Sequence, residues 1–462
     1  MDILLATAEL APYTNDTSGA EIASALSKAL RQLGHKVTVV APRQPGFEES
    51  GLLAARRLTP LQLQGGSEFH VLDSQLPSGA ELVLLDLPGL FDRPRVYGEE
   101  SADYPDNGKR FSVFARAVAA LCAQRLEQGK PTEVVHALGA AAALVPLALR
   151  EQSVPTVFTL CDLTEHAVLP ASARAELGFG DLASLELGGE LNVLASALSL
   201  AGALTCPSLQ LARELSEASS RLAALREGRN PPVAIPSGVD YAVCNPATDT
   251  ALESRFDAED TANKGRCKVA ALRKFELELE AERPLIVACF EGDADRDRLL
   301  EALPEILKND VGLIVVGLGA TIPAERASAL RSDFAGDLAV VSAPDDATLR
   351  RLYAAADLAF FGDGSEQRQL FALRYGAVPI AFARGGSSDA IVDCDSELST
   401  GTGFLFDELT AAASAGGLTR ALTAYGSPSF GKLRRRAMRQ DVSWDRPARR
   451  YAQVYRKLVH GA

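Results

Sequence analysis

The sequence holds no run of about 18 uninterrupted apolar residues, the minimum for a helix that crosses a bilayer, so no membrane span is expected. It holds no C-x-x-C pair: its seven cysteines (122, 161, 206, 244, 267, 289 and 394) are scattered and odd in number. That excludes a recognisable zinc ribbon and argues against a disulfide framework, which makes a reducing cytoplasm the expected compartment. Basic charge is also short, with 47 Lys and Arg against 60 Asp and Glu, a net charge of −13 and a pI near 5.1. Such a surface is not that of a nucleic-acid binder or of a protein that coats anionic membranes. The opening MDILLATAEL has two acids and no basic residue, so it reads as a first buried strand and not as a signal peptide.

Hydrophobic residues make up 47% of the chain and mean hydropathy is +0.04, as in an ordinary globular protein. With 462 residues, two α/β domains are the natural division. Short β-branched or Leu-rich runs alternate with helical patterns. The first series is Ile3–Ala6, Val37–Ala41, Leu82–Leu87, Val134–Ala137, Thr156–Leu160 and Leu204–Cys206. The second is Leu285–Phe290, Gly312–Val316, Leu338–Ser342, Leu358–Phe361 and Val378–Phe382. Continuous apolar strands between helices such as Glu21–Leu33 and Arg110–Glu127 imply two buried, doubly wound parallel sheets. The break belongs near Pro231–Gly238, where three prolines and a glycine fall together. Asp249–Leu279 is charged and helical in composition. Trp444–His460 reads as an amphipathic helix with Tyr451, Val454, Tyr455 and Leu458 on one face.

Several segments, in order along the chain, resemble the glycogen and starch synthase family, which moves glucose from ADP-glucose onto an α-1,4-glucan with retention. They are Ala8-Glu9-Leu10-Ala11-Pro12, then Phe91-Asp92-Arg93-Pro94 with Asp103-Tyr104-Pro105-Asp106-Asn107, and Gly238-Val239-Asp240 with Asn245-Pro246-Ala247-Thr248-Asp249. Ala372-Leu373-Arg374-Tyr375-Gly376, Thr402-Gly403-Phe404 and Ser443-Trp444 follow. The resemblance implies a GT-B fold: an N-terminal Rossmann-like acceptor-side domain over 1–236, a nucleotide-sugar-side domain over 237–440, and a helix over 441–462 that crosses back to domain one. The two doubly wound domains would face a cleft. It also implies chemistry without a metal or other cofactor, in which cations and helix N-termini meet the departing diphosphate.

Position by position, that chemistry is altered. The family's K-T-G-G loop reads Asn15-Asp16-Thr17-Ser18, so the lysine position holds Asn15. Ser18 and Gly19 are either an anion nest or an ordinary turn capping the Ala20–Leu33 helix. The H-D-W-Q-T segment is Leu138-Gly139-Ala140-Ala141-Ala142, and His136 ahead of it reads as structural. Cys161 takes the place of a histidine near the transferred sugar, with His166 five residues on. Glu9 and Asn192 match retained site positions. Anchoring on Glu301-Ala302-Leu303-Pro304 puts Cys289 and Ala294 where an arginine and a lysine would face the diphosphate. Glu291, Asp293 and Asp295 then share their loop and would repel it. The spacing of Asp293, Asp295 and Asp297 lacks the glycine and distal glutamate of a calcium loop, so an acidic helix N-terminus is the better reading. The glutamate near the donor glucose is Glu366 counted from one side and Asp363 from the other. Gly317, Gly319, Gly385 and Gly386 match donor-side glycine turns, or serve strand–helix packing alone.

With so many positions replaced, the expectation is a catalytically impaired pseudoenzyme. It would have a binding or regulatory role in α-glucan metabolism, with α-glucan or an active enzyme of that metabolism as partner and nucleotide sugar bound weakly or not at all. The alternative is an active glycosyltransferase with a rebuilt site using groups such as His166, Arg368 or Arg384. Cys161 and Cys289 are expected as free thiols lining the cleft, or else as small buried residues. Restoring Asn15→Lys, Cys289→Arg and Ala294→Lys is expected to improve nucleotide binding.

Overall fold

The structure, a computed structural model, describes residues 1–63, 66–99, 102–161, 167–180, 182–217, 224–290, 292–318, 322–362 and 366–461, apart from the side chains at 366 and 367. It divides into two compact units, Met1–Ile235 with Trp444–Ala462, and Pro236–Ser443.

In the first unit, seven strands run parallel across the sheet in the order Val233–Ala234, Ala203–Cys206, Thr156–Thr159, Val134–Leu138, Asp2–Thr7, Lys36–Pro42 and Glu81–Asp86. Glu68–Gln75 then adds antiparallel to Glu81–Asp86. All six strands expected from sequence are present, within a residue at each end. Their apolar runs are buried on both faces, with Ile3, Leu4, Leu5, Val134 and Val135 fully enclosed, because helices cover each side. The antiparallel strand has no counterpart in the expected series. Glu68–Gln75 alternates buried Phe69 and Val71 with partly or fully exposed residues, the pattern of a strand covered on one face only.

The helix Ser18–Gln32 buries Ile22, Leu26 and Leu30, one residue per turn, and Thr17 caps it by accepting from the Gly19 amide. The tail helix, Asp445–His460, buries Ala448, Tyr451, Ala452 and Tyr455 and belongs to this first unit. It ends on Gly461 in the left-handed region at φ 68°, where a glycine costs no Cβ clash. This return of the tail agrees with expectation.

The second unit is a parallel sheet in the order Leu338–Ser342, Gly312–Gly317, Leu285–Phe290, Leu358–Phe361, Val378–Phe382 and Phe404–Phe406. Four of its expected strands have the observed bounds. One expectation needs correcting: of Asp249–Leu279 only Lys264–Lys274 is α-helix. The Asp249, Asp257 and Asp260 side chains accept from backbone amides two or three residues on, which competes with helix and favours turns.

Candidate functional site in the first unit

The opening strand Asp2–Thr7 pairs with Lys36–Pro42 on one side and Val134–Leu138 on the other, so the strand order reverses around it. The crevice outside the carboxyl ends of strands at such a reversal is where open α/β sheets bind ligands. Glu9 and Gly139 stand there, just past the two strand ends.

Glu9 is 2% exposed, and internal donors claim its carboxylate. Oε1 accepts from the amides of Asp16 at 3.0 Å and Thr17 at 2.7 Å. Oε2 accepts from the Thr17 hydroxyl at 2.8 Å and the Tyr97 hydroxyl at 3.0 Å. Burial pushes the Glu9 carboxyl up to about 7, and the nearby Asp16 charge adds to the rise. The bonds from Thr17 and Tyr97 oppose it without cancelling it. A Cβ added to Gly19 would lie 3.4 Å from the Cys161 thiol and 3.6 Å from Glu9 Oε2; one added to Gly139 would lie 3.4 Å from the Tyr97 hydroxyl. Glu9, Thr17, Gly19, Tyr97, Gly139 and Cys161 therefore form one cluster. Tyr97 did not enter the sequence reading. Its signal was its place between two family-like segments, Phe91–Pro94 and Asp103–Asn107.

The loop before the first helix is a cap whose amides face inward. Asn15 and Ser18 are exposed, and the Asp16 carboxylate accepts from the Val96 amide and lies 4.0 Å from Arg95. Asn192 caps the helix Val193–Leu200 by accepting from the Leu194 amide at 2.9 Å. His136 is fully buried with both ring nitrogens bonded, which is a structural role.

In the second unit, Cys289 is the penultimate residue of the strand Leu285–Phe290, as the expected strand has it. It is 4% exposed, with its thiol 3.4 Å from the Tyr353 hydroxyl. Of the two expectations for this thiol, its burial fits that of a small buried residue. Asp293 and Asp295 stand in the first turn of the helix Asp293–Leu307, as the acidic-N-terminus reading has it. Their charge is partly met: Arg296 pairs with Asp293 at 2.6 Å, and Arg298 approaches Asp295 at 3.8 Å. Ala294 is exposed in the same turn. Gly317 ends its strand, and Gly385, at φ 58°, caps the short helix that begins with the buried Gly386. Arg368 is half-buried and Arg384 exposed. His166, Glu291, Gly319, Asp363 and the side chain of Glu366 lie outside the described residues. Among the described residues no group of three or more His, Cys, Asp and Glu is placed to hold a metal, and no helix is long and apolar enough to cross a membrane.

Residues 2–227 match the family model of the starch synthase catalytic domain. A glycogen synthase 2 of Geobacter sulfurreducens is 30% identical over 99% of this chain and 98% of its own length. The chain belongs to the glycogen and starch synthase family. A glycogen synthase of Thioalkalivibrio sulfidiphilus is 31% identical over 99% of this chain and all of its own length. The catalytic domain of starch synthase IV from Arabidopsis thaliana, solved bound to ADP and acarbose, superposes with a TM-score of 0.86 at 22% identity, covering 99% of both chains. A sucrose-phosphate synthase from Thermosynechococcus elongatus superposes at 0.64 with 17% identity over the whole of both chains. The fold is GT-B, with two Rossmann-like units, and family membership makes the chain glycosyltransferase-like.

Proposed function

We propose that this family member acts in α-glucan metabolism by binding, and does not transfer glucose from ADP-glucose at a rate resembling its relatives. The observation that carries the proposal is that Asn15 and Ala294, at two positions where the family places lysines, are exposed and carry no charge. Glu9, at a position the family retains, holds the amides of Asp16 and Thr17 and supplies no replacement cation. Loss of a preorganised donor to a developing charge costs roughly 10²–10³ in rate. The α-glucan, being neutral, does not depend on those cations, and is the proposed ligand. Calorimetric titration of the full chain with ADP-glucose and with maltoheptaose tests this. The proposal expects heat of binding for the glucan and little for the nucleotide sugar; tight ADP-glucose binding would reverse it.

The second reading is an active synthase with a rebuilt site. It is favoured by the near-complete coverage shared with glycogen synthases, which holds the whole scaffold intact. Arg296 and Arg298 beside the acids of the second unit also soften the repulsion a diphosphate would meet.

A further inference from the structure

We propose that the second unit carries an anion pocket, built to take a phosphate group, at the amino ends of its central strands. A cavity of about 330 Å³ is lined there by Lys264, Lys268, Asp357, Tyr425, Gly431 and Arg434, among others. Asp357 immediately precedes the strand Leu358–Phe361, and Lys268 reaches the carbonyl of Arg283, just ahead of Leu285–Phe290. The pocket thus lies at the opposite ends of the strands from the loops that follow Gly317 and Phe382. It is separate from the crevice where this fold places its sugar chemistry.

Three basic side chains face one carboxylate. Lys264 is 2% exposed, Lys268 4% and Asp357 6%. Lys264 Nζ donates to the carbonyls of Tyr353, Ala354 and Tyr375 at 3.0, 2.9 and 2.8 Å, with no carboxylate among its partners. Lys268 and Arg434 share Asp357, at 2.7 and 2.6 Å. Buried charge is costly unless an opposite charge meets it; burial holds Lys264 well below the usual lysine range, and Lys268 with Arg434 still exceed the one carboxylate by one. The hydrogen bonding is also incomplete. Arg434 Nε is buried without a partner, and Lys268 has spent two of its three protons. Ser427, Phe430 and Gly431 bring the start of the helix Phe430–Arg439 to the same wall, and its amino end adds positive potential. Nothing lies within 4 Å of the Cβ position at Gly431, so the wall there is open.

A compact anion with several acceptor oxygens satisfies both shortages at once, since an arginine fork and an ammonium are the groups that hold phosphate. A neutral glucan would satisfy neither. The phosphate can be free or carried on a small metabolite.

The test is thermal unfolding of the full chain in rising inorganic phosphate and, separately, glycerol 3-phosphate, each against sodium chloride at equal ionic strength. A saturating rise in Tm above the chloride control is expected, because a ligand that binds only the folded state stabilises it. A stronger effect of the ester identifies a phosphorylated metabolite, and an equal or weaker one identifies free phosphate. Gly431→Asp puts a carboxylate on the exposed wall, at a helix start that tolerates it, and leaves every cation in place. It should abolish the rise. Arg434→Lys should weaken binding about tenfold or more by removing the fork. No rise beyond chloride, or the same rise in Gly431→Asp, overturns the proposal and leaves the cations as a clamp on Asp357.

Discussion

His136 Nδ1 lies 2.7 Å from the hydroxyl of Tyr455, 319 residues further along the chain. The other ring nitrogen is 2.6 Å from the Thr159 hydroxyl, which in turn is 2.6 Å from that of Thr205. This buried polar chain fastens the tail helix to three neighbouring strands of the first unit. Tyr455→Phe leaves a buried imidazole nitrogen without a partner, and should destabilise the unit by about 1–3 kcal/mol. Denaturant unfolding followed by fluorescence of Trp444, the only tryptophan, reads this directly. An unchanged midpoint would mean that the helix is held by its apolar face alone.

Two buried ionisable groups of this unit, His136 and Glu9, give opposite pH dependences. Burial pushes His136 down to about 3, so between about pH 6.5 and 3 the unfolded chain takes up a proton that the folded chain refuses. Its contribution to stability is therefore present above pH 6.5 and is lost as pH falls towards 3. Glu9, held at about 7, does the reverse. Between about pH 4.5 and 7 the folded state keeps a proton that the unfolded state has released, so stability is lost as pH rises through 7. Glu9→Gln should gain on the parent chain between pH 5 and pH 8. A constant difference between the two proteins over that range would show that Glu9 is ionised throughout.

Much of the scaffold was legible because buried parallel strands are continuous apolar runs, and Leu285–Phe290 or Val378–Phe382 admit little else. The half-covered Glu68–Gln75 was not, since an alternating strand of mixed polarity resembles a loop. The turns near Asp249–Asp260 were misjudged for the same local reason: composition does not show a side chain capturing a backbone amide. At the site, the replaced positions were readable but their surroundings were not. Cys289 was assigned by counting back from Glu301 and its strand was legible, but the Tyr353 hydroxyl beside its thiol, 64 residues further along, was not. Glu9 was read as facing a ligand, while its four internal donors arise from Asp16, Thr17 and Tyr97 meeting in space.

The thiols follow from burial. Cys161 is 8% exposed and Cys289 4%, so both should react slowly with a bulky maleimide in the native protein and fully after unfolding. Rapid native labelling of either would contradict its packing.

That placement also separates the three reverting substitutions. Cys289→Arg would force a guanidinium into a core strand beside Tyr353 and should cost about 3 kcal/mol or more. Asn15→Lys and Ala294→Lys fall on exposed positions and should leave Tm nearly unchanged. If cation loss limits donor binding, this double variant should bind ADP-glucose more tightly than the parent chain, by calorimetry. No gain would count against cation loss as the limit on donor binding.

The most direct test is elongation itself: purified full-length chain, ADP-glucose labelled in the glucose and a maltooligosaccharide primer, beside an active glycogen synthase at equal concentration. The account predicts incorporation lower by about 10² or more, since more than one donor to the diphosphate has been replaced. Incorporation at a rate comparable with the active enzyme would contradict it and establish the rebuilt-site reading.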